Sequence, residues 1–176
     1  MIELLIVVAI ILIIAAIAIP NLLRSKIAAN EAASASTMRS IGTANVLYLS
    51  VYNQGFAGNL RQLGPTGGGC ATVGSDCAGL LDATLSGMSP STPTPIKSGY
   101  IFTYTPMTAA PTPAAPNASY SVVGTPVGPG STGVSTFCLD GGNIYLIWRD
   151  TSGGTTTGTG AGCAPTWVPG GTVGPV

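Results

Sequence analysis

The chain has 176 residues, zero formal net charge, only 7% charged residues and no histidine. That length leaves room for one modest globular domain beside an anchoring segment. The charge balance excludes a basic footprint for nucleic acid, and the missing histidine removes the commonest general base and metal ligand.

Residues 1–23, MIELLIVVAIILIIAAIAIPNLL, are the first element. Glu3 stands at its edge and no other charge occurs until Arg24. About 20 apolar residues in one helix cross the roughly 30 Å hydrocarbon core of a bilayer. In lipid, a helix satisfies every backbone N–H and C=O within a single segment. A helix packed in a globular core would keep a polar face, and this run has none. Three readings compete: a membrane anchor, an uncleaved signal sequence, or a helix that buries itself among copies of itself. The signal sequence fits poorly, because no Lys or Arg precedes the run and no small-residue cleavage site follows it. Glu3 itself has two readings. It is either a solvated acid favoured by the helix dipole, or a carboxylate paired with a positive charge, most obviously the α-amino group of a neighbouring copy.

Pro20 lacks an N–H and is expected to kink or interrupt the helix, at a cost of about 3 kcal/mol. Residues 24–53 nevertheless read as an amphipathic continuation. Ile27, Met38, Ile41, Tyr48 and Val51 recur at helical spacings among many alanines, and Gly55 is the expected stop. Arg24 and Lys26 taken alone look like the positive flank of an anchor.

Residues 54–98 read as a connector, with a cysteine-closed loop at GPTGGGCATVGSDC and a short helix at AGLLDATLSG resting on Leu80, Leu81 and Leu85. SPSTPTP then forbids regular structure. Residues 99–176 form the head. Strands are expected at 99–105, 119–123, 134–139 and 143–149, with Asp140-Gly141-Gly142 as the hairpin signal between the last two. Four such strands with one face on the long helix make an α+β fold: a small antiparallel sheet packed against the helix. From Thr151 onward the composition predicts an extended flap held by Cys163, with Trp167 tucked back. The aromatics Tyr100, Phe102, Tyr104, Tyr145 and Trp148 lie on the strands, and most of them are read as core packing.

Cys70, Cys77, Cys138 and Cys163 allow three disulfide connectivities. Cys70–Cys77 with Cys138–Cys163 is favoured, since each pair closes a separate Gly-rich loop. A metal site is disfavoured by the absence of His and of any CxxC pair. No catalytic constellation and no cofactor motif is present. Asp140 and Asp150 read as turn residues and are too few for a calcium cage. Asn117-Ala118-Ser119 fits a glycosylation sequon, making Asn117 a candidate modified residue.

The run IELLIVVAI followed by AAIAIPNL resembles the N-terminal helix of type IV pilins and of the related type II secretion pseudopilins. The likeness is close over residues 2–23 and loose over the continuation. It implies that a prepilin peptidase removes a basic leader and that the new N-terminus is methylated. Subunits then leave the bacterial inner membrane and polymerise through this helix into an extracellular filament serving adhesion or motility. An inner-membrane platform with its ATPase is implied as partner. Glu3 becomes the acid that pairs with the terminal amine of an adjacent subunit, and residues 15–23, around Pro20, the place where the helix melts in the filament. Two departures stand out. The family's acid sits two residues further from the processed terminus, so the chain is expected to lack its first two residues or to start unusually. Leu12 replaces a glycine common in the middle of the run. A major pilus subunit is the first expectation. A pseudopilin, which often carries an acid-rich calcium loop absent here, and a non-polymerising envelope binding protein are the alternatives.

Overall fold

The computed structural model describes residues 1–67, 70–88, 94–141, 147–151, 158–159, 162–163 and 174–175. Helix α1 runs over Ile2–Tyr52, 51 residues, with Pro20 inside it. At 1.5 Å per residue it is roughly 75 Å long. The expected interruption at Pro20 does not occur in the single chain. Ending the helix there would strand backbone donors and acceptors in the middle of an apolar run, which costs more than the one bond that proline removes. The helix closes at Tyr52 with Asn53 in the left-handed conformation, φ 51°. Asn53 therefore takes the cap expected of Gly55.

Eight strands follow among the described residues: β1 (Ile96–Lys97), β2 (Tyr100–Pro106), β3 (Tyr120–Pro126), β4 (Thr136–Asp140), β5 (Ile147–Asp150), β6 (Gly158–Thr159), β7 (Gly162–Cys163) and β8 (Gly174–Pro175). The order β1-β2-β3-β4-β5-β8 makes one antiparallel sheet, and β6 pairs with β7 separately. The fold is α+β, as the strand pattern predicts. The expected β2, β3 and β4 are present with ends shifted by one to three residues. β5 is described from Ile147; residues 143–146 of the expected strand, the glycine of the hairpin signal at 142 and Trp167 lie outside the described residues. The pairing of Leu139 with Ile147 gives the hairpin its register.

Side chains alternate between the two faces of the sheet, and over most of β3 and β4 both faces are covered. Tyr100, Phe102, Tyr120, Val122, Phe137, Leu139 and Ile147 are buried and pack in one core with Met38, Ile41, Ala44 and Tyr48 of the helix. On β3 and β4 the other face carries Ser121, Val123, Thr136 and Cys138, also buried. The β6–β7 pair lies against β2, β3 and β4, and the Cys138–Cys163 disulfide ties it there. Burial on both sides explains why β3 reads as YSVVG with no polar alternation. Gly124 permits the close approach of helix and sheet: a Cβ there would lie 2.9 Å from Met38 Cε and 3.2 Å from Ser34 Oγ.

Two details of the connector differ from expectation. AGLLDATLSG is a turn, with Ser86 N–H donating to Asp82 O at 3.0 Å and Met88 N–H to Ala83 O at 2.9 Å. Gly79 and Gly87 both hold φ 70°, which bounds the segment too tightly for helix to propagate. Leu81 and Leu85 are buried and Leu80 packs at the edge of the core, so the apolar contacts form without the helix. A single-turn helix at Leu60–Leu63, capped by Asn59 accepting from Gln62 N–H at 3.0 Å, stands where only loop is expected.

Candidate functional site: an unpacked apolar helix latched to the sheet

The helix divides at residue 30. Below it, the most apolar 18-residue window has no buried residue. Ile2, Leu4, Leu5, Ile13, Ile17, Ile19 and Leu22 each expose more than 60% of their surface. Apolar side chains on every face of a helix that touches nothing in its own fold call for lipid or other apolar helices. Above residue 30, Ser34, Ala35, Thr37, Met38, Ile41, Ala44, Asn45 and Tyr48 form a buried stripe. Val51, expected on that stripe, points away and is 68% exposed; Tyr52, four residues after Tyr48, continues the stripe instead, with ring centroids 4.8 Å apart.

Two polar devices fix the helix to the head. At the lower one, Glu31 Oε1 accepts from the N–H groups of Val134 and Ser135, both at 3.0 Å. Its Oε2 accepts from Arg149 Nη2 at 2.6 Å, and Arg149 Nε donates to Ser135 Oγ at 2.9 Å. Asn30 Nδ2 donates to Thr132 O at 2.8 Å. Burial alone would raise the Glu31 pKa, but the Ser135 and Val134 donors and the Arg149 charge outweigh it and hold the carboxyl below its ordinary value.

The upper device is a buried hub around Ala57. Its carbonyl accepts from Tyr104 Oη at 2.7 Å and Asn117 Nδ2 at 2.9 Å. Its N–H donates to Asn45 Oδ1 at 3.2 Å, and Asn45 Nδ2 bonds back to Ile41 O at 3.1 Å. Asn117 Oδ1 also accepts from Thr108 N–H at 3.0 Å. Tyr104 stacks on Tyr120, centroids 5.1 Å apart. Burial pushes the Tyr104 and Tyr120 phenols well above their ordinary range, and the Tyr48 phenol up to about 12.

The hub corrects the reading of Asn117. That residue is fully buried, and the nitrogen a glycan would occupy is donating inside the core, so Asn117 is a structural residue in this fold. Asp140 and Asp150 are not turn residues either; they end β4 and β5. Thr136 pairs with Asp150 across the ladder, which leaves Asp140 about 13 Å away along β4. Carboxylates so placed cannot share a proton. Among the described residues no three His, Cys, Asp or Glu come close enough to hold a metal. A groove of about 380 Å³ lies between Ala33, Ser36 and Ser40 of the helix and Leu80–Leu85, rimmed by the Lys97–Asp82 pair at 2.7 Å.

Glu3 is exposed on the first turn, with no ion-pair partner among the described residues. Cys70 pairs with Cys77 and Cys138 with Cys163, so the favoured connectivity forms. Sequence reasoning passed over Glu31, Arg149, Asn45 and Gly124. One signal was available: Glu31 is the second and last acid in a 51-residue helix of a chain with few charges.

No family model matches the chain, and neither a curated protein nor a solved structure matches it. The architecture itself is pilin-like: a long N-terminal apolar helix, then an antiparallel sheet with two disulfides. The exposed apolar segment and the disulfides together point to a membrane or envelope location.

Proposed function

We propose that this chain is the major structural subunit of a bacterial type IV pilus, with a structural and not an enzymatic role. Residues 2–23 hold it in the inner membrane before assembly and pack against equivalent helices in an extracellular filament afterwards. The carrying observation is the half of α1 that finds no partner within its own fold. A polymer supplies one: apolar surface leaves lipid for the helices of other copies, while the head stays solvated. In this reading Glu3 pairs with the terminal amine of a neighbour, which penalises any register that leaves the charge buried alone. The partners are further copies of the chain, a prepilin peptidase, and an assembly platform with its ATPase.

Electron microscopy of material sheared from cells, with mass spectrometry of the same fraction, tests the proposal. Long thin fibres composed mainly of this chain are expected. Protein confined to the membrane fraction with no fibres overturns it.

A further inference from the structure

We infer that the 127–134 loop of the head is a membrane-contact surface, seated on an anionic phospholipid headgroup layer while the subunit is anchored. The inference rests on residues 2–23 spanning a bilayer, and three features carry it.

The first is depth. Residues 2–23 measure roughly 33 Å as helix, matching a hydrocarbon core of about 30 Å. Asn30 then lies roughly 9–10 Å beyond the apolar boundary. Its side chain leans back toward the helix N-terminus and holds Thr132 O at 2.8 Å. Glu31 fixes Val134 and Ser135 beside it. The loop is thus held within or just above the headgroup layer, which is about 5–8 Å thick on each side.

The second feature is surface chemistry. Val127 is 50% and Val134 46% exposed, and Pro129 is exposed between them. The loop's backbone is largely satisfied internally. Ser131 and Thr132 N–H groups donate to Gly128 O, Gly130 N–H donates to Gly133 O, and Val127 N–H to Gly99 O. Gly128 N–H bonds Thr132 Oγ1 at 3.0 Å. A tip with apolar side chains and few unmet backbone donors enters an interface at low desolvation cost.

The third is charge. Residues 98–139 contain no charged side chain, and between Glu3 and Glu31 the only charges are Arg24 and Lys26. Both are exposed at the expected headgroup level. Glu31, the nearest acid on the helix, is already engaged by Arg149. A headgroup layer facing this surface therefore meets the positive charge of Arg24 and Lys26 and no exposed acid on the loop or on the helix between residues 4 and 31, a match for anionic lipid.

The test places benzoylphenylalanine at position 134, 127, 73 or 7 of the full chain, reconstituted in phosphatidylcholine vesicles with and without phosphatidylglycerol. Lipid carries an alkyne tag for detection after photolysis. Val73 is the exposed control, in the loop whose Ser75 carbonyl bonds Tyr48 near the far end of the helix. Lipid capture at 134 and 127 is expected to exceed that at 73 by about five-fold, and to rise with phosphatidylglycerol, since each cation near an anionic surface contributes about a five-fold preference. Arg24→Gln with Lys26→Gln should abolish that rise. Capture at 7 with 134 and 127 no better than 73 overturns the contact while the spanning helix stands. No capture at 7 overturns both. Capture of a second copy instead of lipid at 134 also overturns it.

Discussion

Glu31 does the work of several residues at the helix–sheet junction, since one carboxylate satisfies a guanidinium and the two backbone N–H groups, of Val134 and Ser135, that lead into β4. Its side chain is only 12% exposed, so the charged hydrogen bonds are worth more than a surface ion pair. Glu31→Ala should lower the stability of the full chain in detergent by about 2–3 kcal/mol, read as a drop in the thermal midpoint by near-UV circular dichroism. The folded pKa is depressed, so this stabilisation is present above the ordinary carboxylate range, about pH 4.3, and fades as pH falls through the folded value. Wild type should therefore lose stability in acid more steeply than Glu31→Gln; parallel acid profiles would refute the latch. Tyr120 gives the opposite case. Its hydroxyl is buried with no hydrogen-bond partner among the described residues, while its ring packs on Phe56 and Tyr104. Tyr120→Phe keeps the ring and removes the unmet donor, so stability should hold or rise by up to about 1 kcal/mol. A clear loss would mean the hydroxyl is bonded.

The helix and the flap make separate predictions. Pro20 leaves α1 unbroken in the single chain, yet it removes one rung of the hydrogen-bond ladder. In a filament, neighbouring helices supply apolar contacts that do not depend on that rung. We therefore expect residues 15–23 to be extended in a density map of the fibre; continuous α-helix from Ile13 through Lys26 would end the idea. The β6–β7 pair is held to β4 across a 25-residue separation by Cys138–Cys163. Replacing both cysteines with alanine should cost about 2–4 kcal/mol. The β2–β5 ladder does not need the bridge, so far-UV circular dichroism at low temperature should be unchanged. Loss of the whole sheet signal would show that the flap is integral to folding.

At the level of the molecule, the decisive asymmetry is a helix satisfied along half its length and bare along the other half. A polymer with Glu3 inside it should be intolerant of losing that charge pairing. Glu3→Gln is expected to abolish surface fibres while membrane levels of the chain remain normal, measured by shearing and immunoblotting of the two fractions. Normal fibre yield would remove Glu3 from assembly and favour a solvated acid at the helix end.

The sequence by itself determined the apolar segment, the α+β plan and the approximate positions of β2 to β5, and it favoured the disulfide pairing that forms. Each of these is local: hydropathy over a window, period-2 alternation, turn residues and cysteine spacing act between near neighbours in the chain. Tertiary structure decided what depends on distant partners. Asn117 looks like an accessible sequon, and only the arrival of Ala57 against it makes it a buried strut. The Leu80–Leu85 segment has helical composition, but Leu81 and Leu85 are buried, and Leu80 partly so, through a turn. Glu31 is one more polar residue on a helix until Val134, Ser135 and Arg149, more than a hundred positions away in sequence, converge on it. Long-range hydrogen bonds leave no periodicity in a single sequence, so the latch and the hub became legible only once the chain had folded.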